Sequence, residues 1–102
     1  MKVLKFGGTS VGSADSILNV KKIVERQTEP VIVVVSALCG ITDMLLKTSQ
    51  MAVEGDVLYQ KSFEEIAERH KDMINAILPA DEKRNQLMAT VGELLEELRS
   101  IY

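Results

Sequence analysis

The sequence has little cysteine, no surplus of basic charge and no long apolar run, and each shortage excludes a class of protein. Its single cysteine, Cys39, cannot form an internal disulfide or supply a metal cluster, so we expect no metal site and a reducing, cytoplasmic location. A net charge of −3 gives no basic footprint for nucleic acid. The longest apolar run, residues 31–35, is far too short to span a membrane. The composition therefore indicates an ordinary globular domain with neither nucleic acid nor membrane as a partner.

Charge is distributed unevenly along the 102 residues. Residues 1–40 contain five Lys/Arg and three Asp/Glu, a net charge of +2, whereas residues 41–102 contain seven and twelve, a net charge of −5. An anionic ligand is therefore expected at the N-terminal part of the chain.

The most informative stretch is MKVLKFGGTSVG at residues 1–12, which predicts a short strand that runs into a glycine turn. A pair of glycines allows positive φ and lets a ligand approach the backbone N–H groups, which can form an anion-binding concavity. The candidate ligands of a phosphate ester are Lys5, Gly7, Gly8, Thr9 and Ser10. A purely structural turn beside a solvated lysine is the alternative, because short glycine motifs occur often without function.

The next segments predict a βαβ unit. Ser13 is a candidate N-cap for an amphipathic helix that ends near Thr28. Residues 31–35, VIVVV, lack alternation, which predicts a strand buried on both faces of a parallel sheet. Ligands of such sheets bind at the carboxyl ends of the strands. Here those ends are followed by residues 7–10 and 36–40, which we expect to meet at one edge, with Lys5 pointing into the cleft between them.

Three further helices are predicted in the remaining residues. Thr42 is a candidate cap for the first of them and Asp81 for the last, and Pro79 separates the last two. A heptad-like seam runs along the last helix, through Leu87, Val91, Leu94, Leu98 and Ile101. The predicted fold class is therefore α/β, with a βαβ unit of a parallel sheet followed by an α-helical hairpin. We divide this single domain into a βαβα part, residues 1–56, and the hairpin, residues 57–102.

The stretch VLKFGGTSV at residues 3–11 resembles the N-terminal signature of aspartokinases. The segments VVSA at 34–37 and GITD at 40–43 are similar to the second block of that family. Other amino-acid kinases share the Lys-x-Gly-Gly start, but Thr9-Ser10-Val11 together with Ser36 and Thr42 is specific to aspartokinases. The resemblance implies the amino-acid kinase (carbamate kinase-like) fold. It also implies MgATP-dependent phosphorylation of the β-carboxylate of L-aspartate to 4-phospho-L-aspartate, on the path to lysine, threonine and methionine.

The resemblance also implies roles for individual residues. Lys5 would be catalytic and would neutralise charge on the transferring phosphoryl group. Ser36 and Thr42 would contact L-aspartate, and no residue of the chain would be a metal ligand. The ATP and phosphate site would comprise Lys5, Phe6, Gly7, Gly8, Thr9 and Ser10. ATP with its Mg²⁺ and L-aspartate would be the small-molecule partners, and we expect a homo-oligomer.

The chain departs from the family in length, because aspartokinase catalytic domains are more than twice as long. We therefore expect an N-terminal fragment of an aspartokinase, either monofunctional or fused to homoserine dehydrogenase, and we expect the fragment alone to be inactive. The alternative is a small helix-rich interaction module, in which the hairpin is a docking face and the glycine turn is structural.

Overall fold

A computed structural model describes all residues, Met1–Tyr102, and divides them into two compact units, Met1–Thr42 and Asp43–Tyr102. The elements in chain order are β1 (Lys2–Phe6), a 3₁₀ turn (Gly8–Val11), α1 (Ala14–Glu25), β2 (Val31–Val35), α2 (Ile41–Val53), α3 (Tyr59–Ile77) and α4 (Glu82–Ile101). The division at residues 56 and 57 stays a prediction. No helix combines the length and the apolar character needed to cross a membrane.

The first unit contains the predicted βαβ arrangement. Strands β1 and β2 are parallel, in a register that runs from Lys2 opposite Val31 to Phe6 opposite Val35. Ser13 is the N-cap of α1, as predicted: its hydroxyl accepts a hydrogen bond from the Ser16 N–H at 3.1 Å. The helix ends at Glu25, three residues before the predicted end.

Strand β2 is much more exposed than its sequence predicts. Its last four side chains, Ile32, Val33, Val34 and Val35, retain 41–57% of their accessible surface. The prediction of two buried faces is wrong for this structure, because the sheet has only two strands and neither of its faces is fully covered. An exposed strand of this composition is an unusual surface, since its apolar side chains gain most from burial.

The second unit is built around the antiparallel pair α3 and α4. Four buried side chains on α3 form its centre: Phe63, Ile66, Ala67 and Ile74. At one end of the pair, Arg99 contacts Glu64 at 3.1 Å, and its guanidinium lies 5.4 Å from the centre of the Phe63 ring. The predicted helical hairpin is therefore confirmed. Of the five residues of the predicted seam on α4, only Val91 and Leu98 are half-buried, whereas Leu87, Leu94 and Ile101 stay 40–74% exposed.

Helix α2 is tied to this pair by hydroxyl groups. Thr48 is completely buried, and its Oγ1 donates to the Met44 carbonyl at 2.7 Å and shares a short hydrogen bond with the Ser62 hydroxyl of α3. The Tyr102 hydroxyl donates to the Leu45 carbonyl at 3.1 Å, and burial raises the pKa of this phenol. Every buried side-chain polar atom has a hydrogen-bond partner, as a stable interior requires.

Arg84 closes the turn between α3 and α4. Its Nε donates to the Leu78 carbonyl at 3.0 Å, and its Nη2 donates to the Asn75 carbonyl at 2.8 Å, so it satisfies carbonyl groups at the end of α3. Asp81 is the N-cap of α4, as predicted, since its Oδ1 accepts from the Arg84 N–H at 3.1 Å.

Helix α2 begins one residue before Thr42, so the prediction that Thr42 caps this helix is wrong. Gly40 has φ of 81°, and the Ile41 N–H donates to the Leu38 carbonyl at 2.9 Å, which starts the helical turn at Ile41. The glycine, which tolerates positive φ without strain, therefore sets the start of the helix in place of a hydroxyl side chain.

Candidate functional site

The two loops that follow β1 and β2 meet at one end of the sheet, as the sequence predicts. Phe6 and Val35 are the last paired residues, and the Ser36 N–H donates to the Phe6 carbonyl at 3.2 Å. A Cβ atom built on Gly8 would lie 3.7 Å from the Ser36 hydroxyl oxygen. Because the strands are parallel and in this register, the glycine turn and the loop at residues 36–40 form one shared edge.

The glycine turn is a 3₁₀ turn, and its glycines do not have the positive φ that the sequence suggested. Gly7 has φ of −76° and ψ of −180°, and positive φ occurs only at Gly40 and Gly55. A Cβ atom at position 8 would make ordinary contacts, 3.7 Å to the Ser36 hydroxyl oxygen and 3.8 Å to the Cys39 Cα, and would occupy part of the gap between the turn and Ser36.

Three successive backbone N–H groups in this turn are free to bind a ligand. The N–H groups of Gly7, Gly8 and Thr9 donate no hydrogen bond within the chain, whereas the next one, from Ser10, donates to the Gly7 carbonyl at 3.0 Å. Neighbouring unpaired N–H groups in a turn are suitable donors for an anion such as a phosphate.

Lys5 supplies a free positive charge on β1. It is exposed and forms no ion pair, and strand alternation places it on the face opposite Leu4 and Phe6, which are half-buried. Whether its side chain enters the gap between the two loops stays a prediction. Lys5 lies two residues before Gly7, the first glycine of the turn, and because it is unpaired its ammonium group is available to a phosphate ester.

The predicted phosphate-binding residues are divided between two sides of the turn. The Gly8 backbone lies beside Ser36, while Phe6, Thr9 and Ser10 line an open pocket of about 250 Å³ on the α1 side. Ser16 and Asn19 of α1 complete the polar wall of that pocket, together with apolar atoms of the same helix. Neither residue is singled out by a motif in the sequence; the one signal for them is their separation of three residues on an amphipathic helix, which places them on the same face.

The two predicted aspartate-binding residues are both accessible. The Ser36 hydroxyl is exposed and donates to the neighbouring Ala37 carbonyl at 2.9 Å. Thr42 is exposed in the first turn of α2, next to the buried Ile41, and its hydroxyl makes no hydrogen bond within the chain. Both hydroxyls can therefore reorient toward a polar ligand without leaving a buried partner unsatisfied.

Carboxylates are not gathered anywhere in the structure as a cation site would require. No group of three or more His, Cys, Asp or Glu residues lies close enough to hold a metal ion. The residues present therefore offer no all-protein cage for a cation; in phosphate-binding sites Mg²⁺ is usually held by one or two carboxylates and by the phosphates of the substrate.

Free N–H groups, an unpaired lysine and a parallel βαβ unit together define an α/β protein whose sheet edge carries donors suited to an anion. The model of the amino acid kinase family matches residues 1–100. This match covers nearly the whole chain, which belongs to that family.

Curated proteins similar to this chain include aspartokinases and bifunctional enzymes that contain an aspartokinase. The chain is 37% identical over 102 residues to a chloroplastic bifunctional aspartokinase/homoserine dehydrogenase of Daucus carota, a match that covers 96% of this chain and 11% of the relative. It is 56% identical over 43 residues to an aspartokinase of Chlamydia muridarum, covering 42% of this chain and 10% of the relative. In each case the matched segment spans only about a tenth of the length of the relative.

Proposed function

We propose that this chain is part of an aspartate kinase that transfers the γ-phosphoryl group of ATP to the β-carboxylate of L-aspartate. The product, 4-phospho-L-aspartate, is the first intermediate toward lysine, threonine and methionine. The observation that carries the proposal is the family match over residues 1–100, combined with a free-N–H turn that lies beside Ser36.

In the proposed reaction, a carboxylate oxygen of aspartate attacks the γ-phosphorus of ATP. The bond from that phosphorus to the β–γ bridging oxygen breaks, its electron pair stays on the bridging oxygen, and ADP leaves. No protein nucleophile takes part, so the chain contributes position and charge stabilisation. Mg²⁺ enters with ATP as part of the substrate.

The glycine turn holds the phosphates in this proposal. The free N–H groups of Gly7, Gly8 and Thr9 donate to phosphate oxygens, and Lys5 neutralises the charge that develops on the transferring group. Phe6, Thr9 and Ser10, which line the α1-side pocket, complete the ATP side of the site. Their arrangement supports a binding surface that is formed before the nucleotide arrives.

The aspartate lies on the other side of the turn. Ser36 and Thr42 donate their hydroxyl hydrogens to the substrate, and the short gap between Gly8 and Ser36 brings the acceptor carboxylate close to the γ-phosphoryl group. Their accessibility and lack of fixed long-range partners support this role.

The proposed activity belongs to a protein much longer than these residues, as its relatives are. Residues 1–102 alone are proposed to be inactive, and the intact kinase to be a homo-oligomer of the cytoplasm. A chloroplast form is the other location that the relatives' names suggest.

The direct test is an assay of the intact protein with ATP, Mg²⁺, hydroxylamine and either L-aspartate, L-glutamate or L-asparagine. Hydroxylamine traps an acyl phosphate as a hydroxamate. We expect hydroxamate with aspartate only, with ADP formed in equal amount. Hydroxamate from glutamate in place of aspartate, or ADP formation independent of any amino acid, would overturn the proposed substrate.

A second candidate function is a protein-interaction module formed by α3 and α4. The exposed Leu87, Leu94 and Ile101, which follow one another at seven-residue intervals on α4, favour it. In this case the intact protein would produce no hydroxamate, and Leu94→Lys would abolish its association with a partner.

A further inference from the structure

We propose that Gly12 is a positioning residue that fixes the separation between the glycine turn and the loop at residues 36–40. This inference rests on the proposed function, because that gap is where the phosphates and the aspartate would meet. Gly12 lies just after the 3₁₀ turn and carries none of the groups that would bind either substrate.

The backbone conformation of Gly12 does not require glycine. Its φ of −90° and ψ of −15° are in the right-handed helical region, which every L-residue adopts without strain. Its N–H donates to the Thr9 carbonyl at 3.3 Å, as the N–H of any other residue except proline would. Gly40 needs to be glycine because its φ is positive, but no such conformational reason applies at position 12.

Space is the reason for glycine at this position. A Cβ atom on Gly12 would lie 3.1 Å from the Cβ of Cys39, 3.3 Å from the Gly8 carbonyl oxygen and 3.4 Å from the Thr9 carbonyl oxygen. The first two distances are tighter than ordinary van der Waals contacts, and the third lies at their lower limit. The same construction at Gly7 or Gly92 meets no atom within 4 Å.

The three neighbouring atoms cannot move without moving the site. Two of them belong to the backbone of the glycine turn, and the Cβ of Cys39 is attached directly to the backbone of the loop that begins at Ser36. A methyl group at position 12 must therefore displace the turn, the loop or both by a few tenths of an ångström. Such a displacement changes the distance between the Gly8 N–H and the Ser36 hydroxyl.

Phosphoryl transfer is sensitive to a displacement of this size. We expect Gly12→Ala to lower the kcat of the intact kinase by about tenfold, because a 1 Å misplacement of reacting groups costs on the order of 10²-fold. The KM values for ATP and aspartate should change by less than about threefold, since the binding groups themselves remain. A merely structural role would lower the melting temperature and leave kcat per folded molecule unchanged.

Two double variants, each combining Gly12→Ala with a substitution of Cys39, test whether the loss of kcat comes from the contact with the Cys39 Cβ. Cys39→Gly removes the Cβ that the new methyl group meets, so Gly12→Ala/Cys39→Gly should recover at least half of the lost kcat on a logarithmic scale. Cys39→Ala retains that Cβ, so Gly12→Ala/Cys39→Ala should recover nothing. The single variants Cys39→Gly and Cys39→Ala complete the two double-mutant cycles.

Alkylation of Cys39 by iodoacetamide tests the contact without reference to catalysis. The thiol is exposed, so its labelling can be followed by mass spectrometry of the peptide that contains it. Gly12→Ala should change the labelling rate several-fold, because the methyl group displaces the loop. Gly92→Ala, the matched control, adds its methyl group to open space and should leave both the labelling rate and kcat unchanged.

The outcomes distinguish this inference from the proposed function. An inactive wild-type enzyme with altered Cys39 labelling in Gly12→Ala would overturn the proposed function and keep the contact. An active enzyme in which Gly12→Ala retains normal kcat, or in which both double variants recover equally, would overturn the positioning role. Unaltered labelling in Gly12→Ala would overturn the contact itself.

Discussion

The two compact units differ in where they place their apolar side chains. The unit Asp43–Tyr102 buries Phe63, Ile66 and Ile74 on one helix, whereas the unit Met1–Thr42 has Val11 and Ile41 as its only buried hydrophobic residues and leaves the valines of β2 exposed. The helical unit is thus built around a core, while the unit that carries the kinase motif has little core of its own.

The units also differ in how they treat polar groups. In the helical unit, Thr48, Ser62 and Arg84 all have partners within the chain. In the first unit, Lys5 and the N–H groups of Gly7, Gly8 and Thr9 have none. Satisfied groups are typical of a scaffold, and accessible unsatisfied groups are typical of a binding site. The comparison predicts that substitutions in the first unit change catalysis and substitutions in the second change stability.

The largest expected effect comes from removing everything outside residues 1–102. Because β2 exposes apolar side chains on a sheet of two strands, the isolated chain should self-associate and form no detectable aspartyl hydroxamate. Light scattering after size-exclusion chromatography measures the association. Ile32→Lys, which places a charge on the exposed strand, should reduce it. A monomeric chain with turnover typical of kinases would contradict the account.

A cavity in the helical core should have the next largest effect. Ile66 is 1% exposed, so Ile66→Ala in the intact protein should lower the free energy of unfolding of this region by about 2–5 kcal/mol. Denaturant unfolding measures the loss, and activity measured at a temperature where the variant is folded should stay close to normal. The matched change at an exposed site, Leu46→Ala, should cost much less, since Leu46 is 66% exposed.

Loss of the turn closure between α3 and α4 should have a smaller effect. Arg84→Ala removes two hydrogen bonds to carbonyl groups and should cost about 1–3 kcal/mol of stability. Arg84→Lys keeps the charge near the end of α3 but cannot reach both carbonyls in the same way, so it should recover only part of the loss. An unchanged melting temperature in Arg84→Ala would show that the turn forms without this side chain.

The smallest effect concerns a single hydroxyl. Thr42→Val removes a group that makes no hydrogen bond in the chain, so stability should be unchanged and the KM for aspartate should rise about threefold to tenfold. Thr90→Val on α4 is the control for the substitution itself and should leave KM unaltered. A normal aspartate KM in Thr42→Val would remove Thr42 from the substrate site.

The sequence predicts the elements of this fold well because their signals are local. Ser13 and Asp81 are caps in the structure as in the sequence, and β2 has the predicted boundaries. The errors concern quantities that depend on the surroundings. Whether β2 is buried depends on the elements that cover it, and the five residues of the strand carry no information about those elements. The start of α2 is set by the positive φ of Gly40.

The candidate site was predictable in its residues but not in its arrangement. The motif indicates Lys5, Gly8 and Ser36, and parallel pairing of the strands brings the last two together. The division of the turn into a Ser36 side and an α1 side depends on distances of a few ångströms between segments, and so does the lack of room for a side chain at Gly12 beside Cys39. Such distances follow from packing across the sheet edge, which a linear motif does not encode.

The measurement that tests the central claim most directly is the kinetics and stability of Lys5→Ala in the intact protein. We predict a fall in kcat on the order of 10²-fold or more, with a smaller change in the aspartate KM and an unchanged melting temperature, because Lys5 is exposed and unpaired. Lys2→Ala, a change to a second exposed lysine of the same strand, should leave kcat within about twofold of normal, as is usual for surface substitutions. A near-normal kcat in Lys5→Ala would contradict the assignment of the first unit as the catalytic region.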